Sequence, residues 1–140
     1  MDRTALIARL LDHYEHPRNR GSLPDADVTQ TGGIPDCGDV VTVYLKIDPP
    51  DRVVAISFEG QGCTISQAAA SILSERVIGS TFAEIEAITL DEMIDFLGRE
   101  AVQTRPRCAT LALRTLKAAD RKSGSIAAYR RGAYCEPCSA

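Results

Sequence analysis

Five cysteines, at positions 37, 63, 108, 135 and 138, and an aspartate two residues after the first of them are the side chains best suited to chemistry in this 140-residue chain. Thiolates act as nucleophiles and as ligands for soft or borderline metals, and a carboxylate adds a harder oxygen. Cys37 and Asp39 sit in Gly32-Gly33-Ile34-Pro35-Asp36-Cys37-Gly38-Asp39, a Gly-flanked loop entering a strand. Cys63 follows Gly60-Gln61-Gly62, and Cys108 follows Arg105-Pro106-Arg107. Both are expected at helix N-termini, where free backbone N–H groups and the positive end of the helix dipole favour a thiolate. Three thiolates with Asp39 as a fourth, more weakly held ligand suit a site that is loaded and emptied. A structural zinc site more often uses Cys-x2-Cys knuckles, which these three lack. Each cysteine taken singly is explained as well by a small buried hydrophobe. Spacing alone leaves zinc, iron and a thiol enzyme open.

The elements that must position these residues follow from periodicity. A first helix is expected over 4–14, with Ile7, Leu10, Leu11 and Tyr14 on one face, Asp2 or Thr4 as its cap, and Pro17 beyond its end. Residues 18–34 are rich in Gly, Pro, Asp and Thr without a period and read as a long loop. Val41, Val43, Leu45 and Ile47 alternate with polar or solvent-facing neighbours, and Val54, Ile56 and Phe58 continue the alternation after Asp48-Pro49-Pro50-Asp51. That is an antiparallel hairpin. Ile65, Ala68, Ala69 and Ile72 mark a helix from Cys63 that Gly79 stops. Thr81-x-x-Glu84 and Thr89-x-x-Glu92 are capping boxes for two short helices, the second carrying Met93, Ile94, Phe96 and Leu97 and ending at Gly98. Ala109, Ala112, Leu113 and Leu116 mark a last long helix from about Pro106 to about Arg121. One domain over 1–121 and a tail over 122–140 carrying Cys135-x2-Cys138 are expected.

Composition bounds the function classes. A hydrophobic share of 44% and a charged share of 25% are those of an ordinary globular protein. A net charge of −3, no Trp and few aromatics argue against a nucleic-acid binder. The N-terminus lacks the apolar core of a signal peptide and no run could span a bilayer, so a cytoplasmic location is expected, where cysteine serves metal or thiol chemistry rather than disulfides.

Four motifs then become recognisable in order and register. They are Tyr14-Glu15-His16-Pro17-Arg18-Asn19-Arg20-Gly21, Cys37-Gly38-Asp39, Gly60-Gln61-Gly62-Cys63-Thr64-Ile65-Ser66 with Ala70-Ser71, and Arg107-Cys108-Ala109-Thr110-Leu111. Over about residues 3–121 the chain resembles the iron–sulfur cluster assembly scaffolds comprising IscU, SufU and the N-terminal domain of NifU. The resemblance implies an α+β fold, a small antiparallel sheet of about three strands with helices packed on one face. It implies cluster ligation by Cys37, Cys63 and Cys108, with Asp39 as the carboxylate that tunes lability. It further implies a scaffold and carrier rather than a classical enzyme. Such a protein takes sulfur from a cysteine desulfurase, binds iron, builds a [2Fe–2S] cluster with electrons from a donor, and passes it to apo-protein clients. A homo-oligomer in the cluster-bound state is compatible with it.

Three departures shape this expectation. Arg107 stands where the IscU branch has a histidine; it cannot ligate a metal, and it resembles the SufU branch, whose members are also zinc-binding sulfur-transfer proteins. Zn²⁺ at the same four residues is therefore the alternative occupant, and persulfide sulfurtransferase activity the alternative function. The 44 residues between Cys63 and Cys108 match the IscU length instead. Val102-Gln103-Thr104-Arg105-Pro106 replaces the segment by which IscU is recognised by its dedicated Hsp70 chaperone, so that hand-off is not expected. His13 and His16 read as surface or capping groups. Cys135-x2-Cys138 reads as a flexible pair of thiols, half a zinc site across a dimer, or extra ligands from a mobile tail.

Overall fold

A computed structural model of the chain describes residues 2–34, 38–49 and 51–130, with side chains as far as Ala119. Its elements, in chain order, are α1 (Arg3–Glu15), β1 (Val28–Ile34), β2 (Asp39–Asp48), β3 (Arg52–Gln61), α2 (Thr64–Val77), α3 (Phe82–Glu86), α4 (Leu90–Leu97), α5 (Arg99–Val102) and α6 (Pro106–Arg130). The three strands form one antiparallel sheet in the order β1-β2-β3. This is the expected α+β arrangement.

The alternation in β2 decides which face of the sheet is covered. Val41, Val43, Leu45 and Ile47 are buried, while Thr42, Tyr44 and Lys46 on the other face are only partly so. Because successive side chains point to opposite faces, one face of the sheet can be apolar while the other meets water. Against the apolar face pack α2, through Ala68, Ala69, Ile72 and Leu73, and α6, through Ala109, Ala112, Leu113 and Leu116. Small residues on both helices let them lie close to the strands and to each other. The two capping boxes form as expected, with Thr81 accepting from Glu84 N–H and Thr89 from Glu92 N–H. No described helix is long and apolar enough to cross a membrane.

Three expectations are corrected. First, residues 28–34 are a strand, not loop: β1 pairs along β2 from Val28↔Leu45 to Ile34↔Asp39. Second, α1 buries only Leu10 and His13, while Ile7, Leu11 and Tyr14 remain 39–46% exposed. Its apolar stripe is therefore wider than the surface it packs on. Third, α6 runs past Arg121 to Arg130.

The segment after α1 fastens that helix to the rest. The Arg18 N–H donates to Ser71 Oγ, Asn19 Nδ2 donates to Ser74 Oγ, and the Phe58 N–H donates to the Asn19 carbonyl. Asn19 adopts φ 61°, a left-handed conformation that asparagine tolerates better than most residues. The motif Tyr14–Gly21 is thus a structural strap, laid along β3 and over α2.

Candidate metal centre

Register brings the site together. Ile34 pairs with Asp39 and Val40 with Gln61, so the start of β2 and the end of β3 lie at the same edge of the sheet. Two residues past Gln61 the chain turns into α2 with Cys63 as its N-cap residue. That turn passes so close to Asp39 that only glycine fits. Gly62 has φ +147°, and a Cβ there would lie 2.6 Å from both Cγ and Oδ1 of Asp39. Cys108 is the third residue of α6, whose first turn packs behind the same edge. One ligand atom each from Asp39, Cys63 and Cys108 lie within 4.8 Å of one another. Asp39 and Cys108 are buried and Cys63 is half-buried.

Cys63 occupies a position where Ser, Thr or Asp would normally spend its side chain on a cap. Its thiol makes no cap hydrogen bond. Instead Ser66 Oγ, at the third helical residue, turns back to donate to the Cys63 carbonyl at 3.0 Å and stands 3.9 Å from Cys63 Sγ. The Cys63 N–H donates to Asp39 Oδ1 at 3.3 Å.

Electrostatics follow from that packing. Burial opposes ionisation of Asp39. Hydrogen bonds from the Cys108 and Cys63 thiols, the Ser66 hydroxyl and the Cys63 N–H outweigh it and hold the carboxyl below its usual range. Burial, followed by the neighbouring carboxylate and Cys63, pushes the Cys108 thiol up to about 12. An accessible, low-pKa thiolate is thus not what the metal-free site holds at Cys108: desolvation overrides the helix N-terminus there. A cation in the site would reverse this, since metal binding expels the thiol proton.

Asp39 Oδ2 is buried and has no hydrogen-bond partner among the described residues. A buried carboxylate oxygen left unpaired costs free energy, and a positive ion between it and two sulfurs would remove that cost. Two thiols and a carboxylate are a donor set for zinc or iron rather than magnesium or calcium. The residues present fit such an ion.

Of the four expected ligands, Asp39, Cys63 and Cys108 converge; Cys37 lies outside the described residues, as do Cys135 and Cys138. Arg107 is exposed, and its carbonyl accepts from Arg114 Nη2 at 2.8 Å. His13 is not a surface group. It is buried, with Nδ1 2.7 Å from Ser71 Oγ, and takes no part in the centre. Ser66 is the site residue that the sequence reasoning passed over, although its spacing of three from Cys63 is the N3 spacing of a capping pair.

The length of α6 limits what the tail can do. Cys108 and Arg130 are 22 helical residues apart, about 33 Å at roughly 1.5 Å per residue. Even fully extended, the five residues from Arg130 to Cys135 span at most about 18 Å. While α6 stays helical, Cys135 cannot close on this chain's own centre.

The class of protein is thereby defined as a small α+β domain carrying a Cys/Cys/Asp centre at one sheet edge. The NifU-like N terminal domain family matches residues 7–131. The chain belongs to this family of iron–sulfur cluster assembly scaffolds. It is 36% identical over 122 residues to the iron-sulfur cluster assembly scaffold protein IscU 1 of Archaeoglobus fulgidus, covering 84% of this chain and 78% of that one. It is 33% identical over 125 residues to the zinc-dependent sulfurtransferase SufU of Bacillus subtilis, covering 77% and 84%. Among solved structures, the SUF-system scaffold of Fervidobacterium islandicum AW-1 superposes with a TM-score of 0.69 at 28% identity, covering 79% of this chain and 93% of that one.

Proposed function

We propose that this protein builds a [2Fe–2S] cluster as cargo on Cys37, Cys63, Cys108 and Asp39 and passes it to apo-proteins. The observation that carries this is the convergence of Asp39, Cys63 and Cys108 within 4.8 Å, in a chain of the scaffold family. Sulfur arrives from a cysteine desulfurase as a persulfide. A thiolate of this chain attacks the outer sulfur, the donor's S–S bond breaks, and the desulfurase leaves as a thiolate. An electron donor then supplies two electrons that reduce the transferred sulfur to sulfide as the chain's thiolate is regenerated. Ferrous iron is bound by the thiolates, and Asp39 provides the oxygen ligand most readily exchanged for a client's cysteine. Partners of this kind are a desulfurase, an electron donor and cluster-free clients.

Zn²⁺ at the same residues, with persulfide transfer as the activity, is the second reading. The compactness of the centre is compatible with it: thiolates on one tetrahedral zinc at about 2.3 Å lie roughly 3.8 Å apart, inside the 4.8 Å that bounds the separations of the three ligand atoms. The Bacillus subtilis relative named above is zinc-dependent. Anaerobic incubation with a desulfurase, cysteine, a reductant and ferrous iron separates the two. The scaffold reading expects a coloured protein containing iron and acid-labile sulfide that activates an apo-ferredoxin. A colourless protein retaining one zinc per chain while accepting labelled sulfur would establish the alternative instead.

A further inference from the structure

Cys63 and Cys108 are free thiols whose sulfurs lie within 4.8 Å of each other. A disulfide is about 2.05 Å long, so a closure of no more than about 2.8 Å would join them. Of the two, Cys63 is the one open to a donor. It is half-buried, on extended backbone as the N-cap residue of α2, and its thiol is not spent on a cap. Rotation about its χ1 gives up a weak contact, 3.9 Å to Ser66 Oγ. Cys108 is 3% exposed and held in the first turn of α6. The pair therefore has an outer, adjustable thiol and an inner, fixed one.

We infer that Cys108 is the resolving thiol for sulfur carried on Cys63: in the metal-free centre it attacks the inner sulfur of a Cys63 persulfide, closing a Cys63–Cys108 disulfide and expelling the terminal sulfur as hydrogen sulfide. This rests on the sulfur-accepting role given above, which the scaffold and the zinc readings share. The step balances without a further reagent. Cys63–S–SH and Cys108–SH become Cys63–S–S–Cys108 and H₂S, with the S–SH bond broken and the Cys108 proton leaving on the sulfide. Counted as transferred S⁰, the sulfur takes two electrons, one from each cysteine. Burial of Cys108 slows the attack, and fixed proximity offsets this, because well-oriented intramolecular groups reach effective concentrations of about 10⁵ M or more. A metal at the centre ties up both sulfurs and blocks the step. Loading order then decides the fate of the sulfur: metal first retains it, and sulfur first discharges it. The closed centre reopens by exchange with a free thiol.

The test uses the whole protein, metal-free and reduced, held anaerobically without iron or reductant, and a cysteine desulfurase charged once with sulfur-labelled cysteine. The parent should release the label as sulfide, and a non-reducing digest should join its Cys63 peptide to its Cys108 peptide. Cys108→Ala should keep the label as a persulfide, gaining the mass of one sulfur, with sulfide release at least about tenfold lower. Zn²⁺ added before the desulfurase should suppress the linkage in the parent. Label that stays on the parent with Cys63 and Cys108 unlinked would overturn the inference, as would a linkage of Cys63 to Cys37 instead. The parent digest gives either result even if Cys108→Ala does not fold. Label that never leaves the desulfurase would overturn the sulfur-accepting role itself, and its place on the donor enzyme distinguishes that failure from the other two.

Discussion

Replacing Gly62 with alanine would place a Cβ 2.6 Å from Cγ and Oδ1 of Asp39 and 3.0 Å from its Cα. Two costs add. The backbone at φ +147° lies where side chains other than hydrogen cost about 1–3 kcal/mol. Forcing a methyl group into a packed site costs about 1–3 kcal/mol more, and Asp39 is buried and tied to Cys63 N–H, so it has little room to yield. The sum is about 2–6 kcal/mol. Gly21→Ala provides the matched control. Its φ is +136°, yet nothing lies within 4 Å of a Cβ there, so only the backbone cost applies. Chemical denaturation of the metal-free proteins should therefore show Gly62→Ala less stable than Gly21→Ala by about 1–3 kcal/mol. Zinc affinity should fall at least about tenfold in Gly62→Ala, as expected when a ligand is displaced, and stay unchanged in Gly21→Ala. Equal stabilities together with unchanged zinc binding would refute the close approach of Gly62 to Asp39 as the feature that shapes the centre.

Other outcomes follow from the same geometry. Because the Cys108 thiol is pushed up to about 12, metal must displace its proton at neutral pH. Zinc affinity should rise about tenfold per pH unit from that proton alone, a slope that competition titrations would measure and a pH-independent affinity would contradict. Asp39, held below the usual carboxylate range, is already ionised there and adds no slope. Burial, reinforced by Arg18, lowers the His13 pKa below 6.5. The neutral imidazole thus stabilises the fold above about pH 6.5, and the contribution is lost as pH falls through the folded-state value. His13→Gln should flatten that acid-side loss in denaturation curves; an unchanged pH profile would count against it. Finally, Cys135→Ser should leave the metal content of the monomeric centre unchanged, as measured by elemental analysis, because five extended residues beyond Arg130 are too short for Cys135 to reach it; a loss of metal would contradict this.

Much of this was legible in the sequence where the signal is local. Thr81 with Glu84 and Thr89 with Glu92 need only three-residue spacing to form a capping box, and both did. The β2–β3 hairpin was readable from its alternation, and Cys63 and Cys108 from the apolar period that follows each. β1 was not readable. Gly32, Gly33, Gln30 and two threonines have little apolar alternation, and the strand exists because β2 offers it a paired edge. The burial of His13 and the exposure of Ile7, Leu11 and Tyr14 depend on how α1 docks on α2, which no spacing within α1 encodes. At Cys108 the helix N-terminus was legible, but the desolvation that overrides it comes from tertiary packing. The convergence of Asp39 on Cys63 is likewise a product of sheet register, 24 residues apart in the chain.

The most direct test of iron–sulfur assembly at Asp39, Cys63 and Cys108 is the metal and acid-labile sulfide content of protein purified without air from iron-replete cells, measured beside Cys63→Ser and Cys108→Ser. The account predicts iron and sulfide in equal amounts in the parent and neither in the two variants. Zinc alone in the parent, or iron and sulfide retained in both variants, would contradict it.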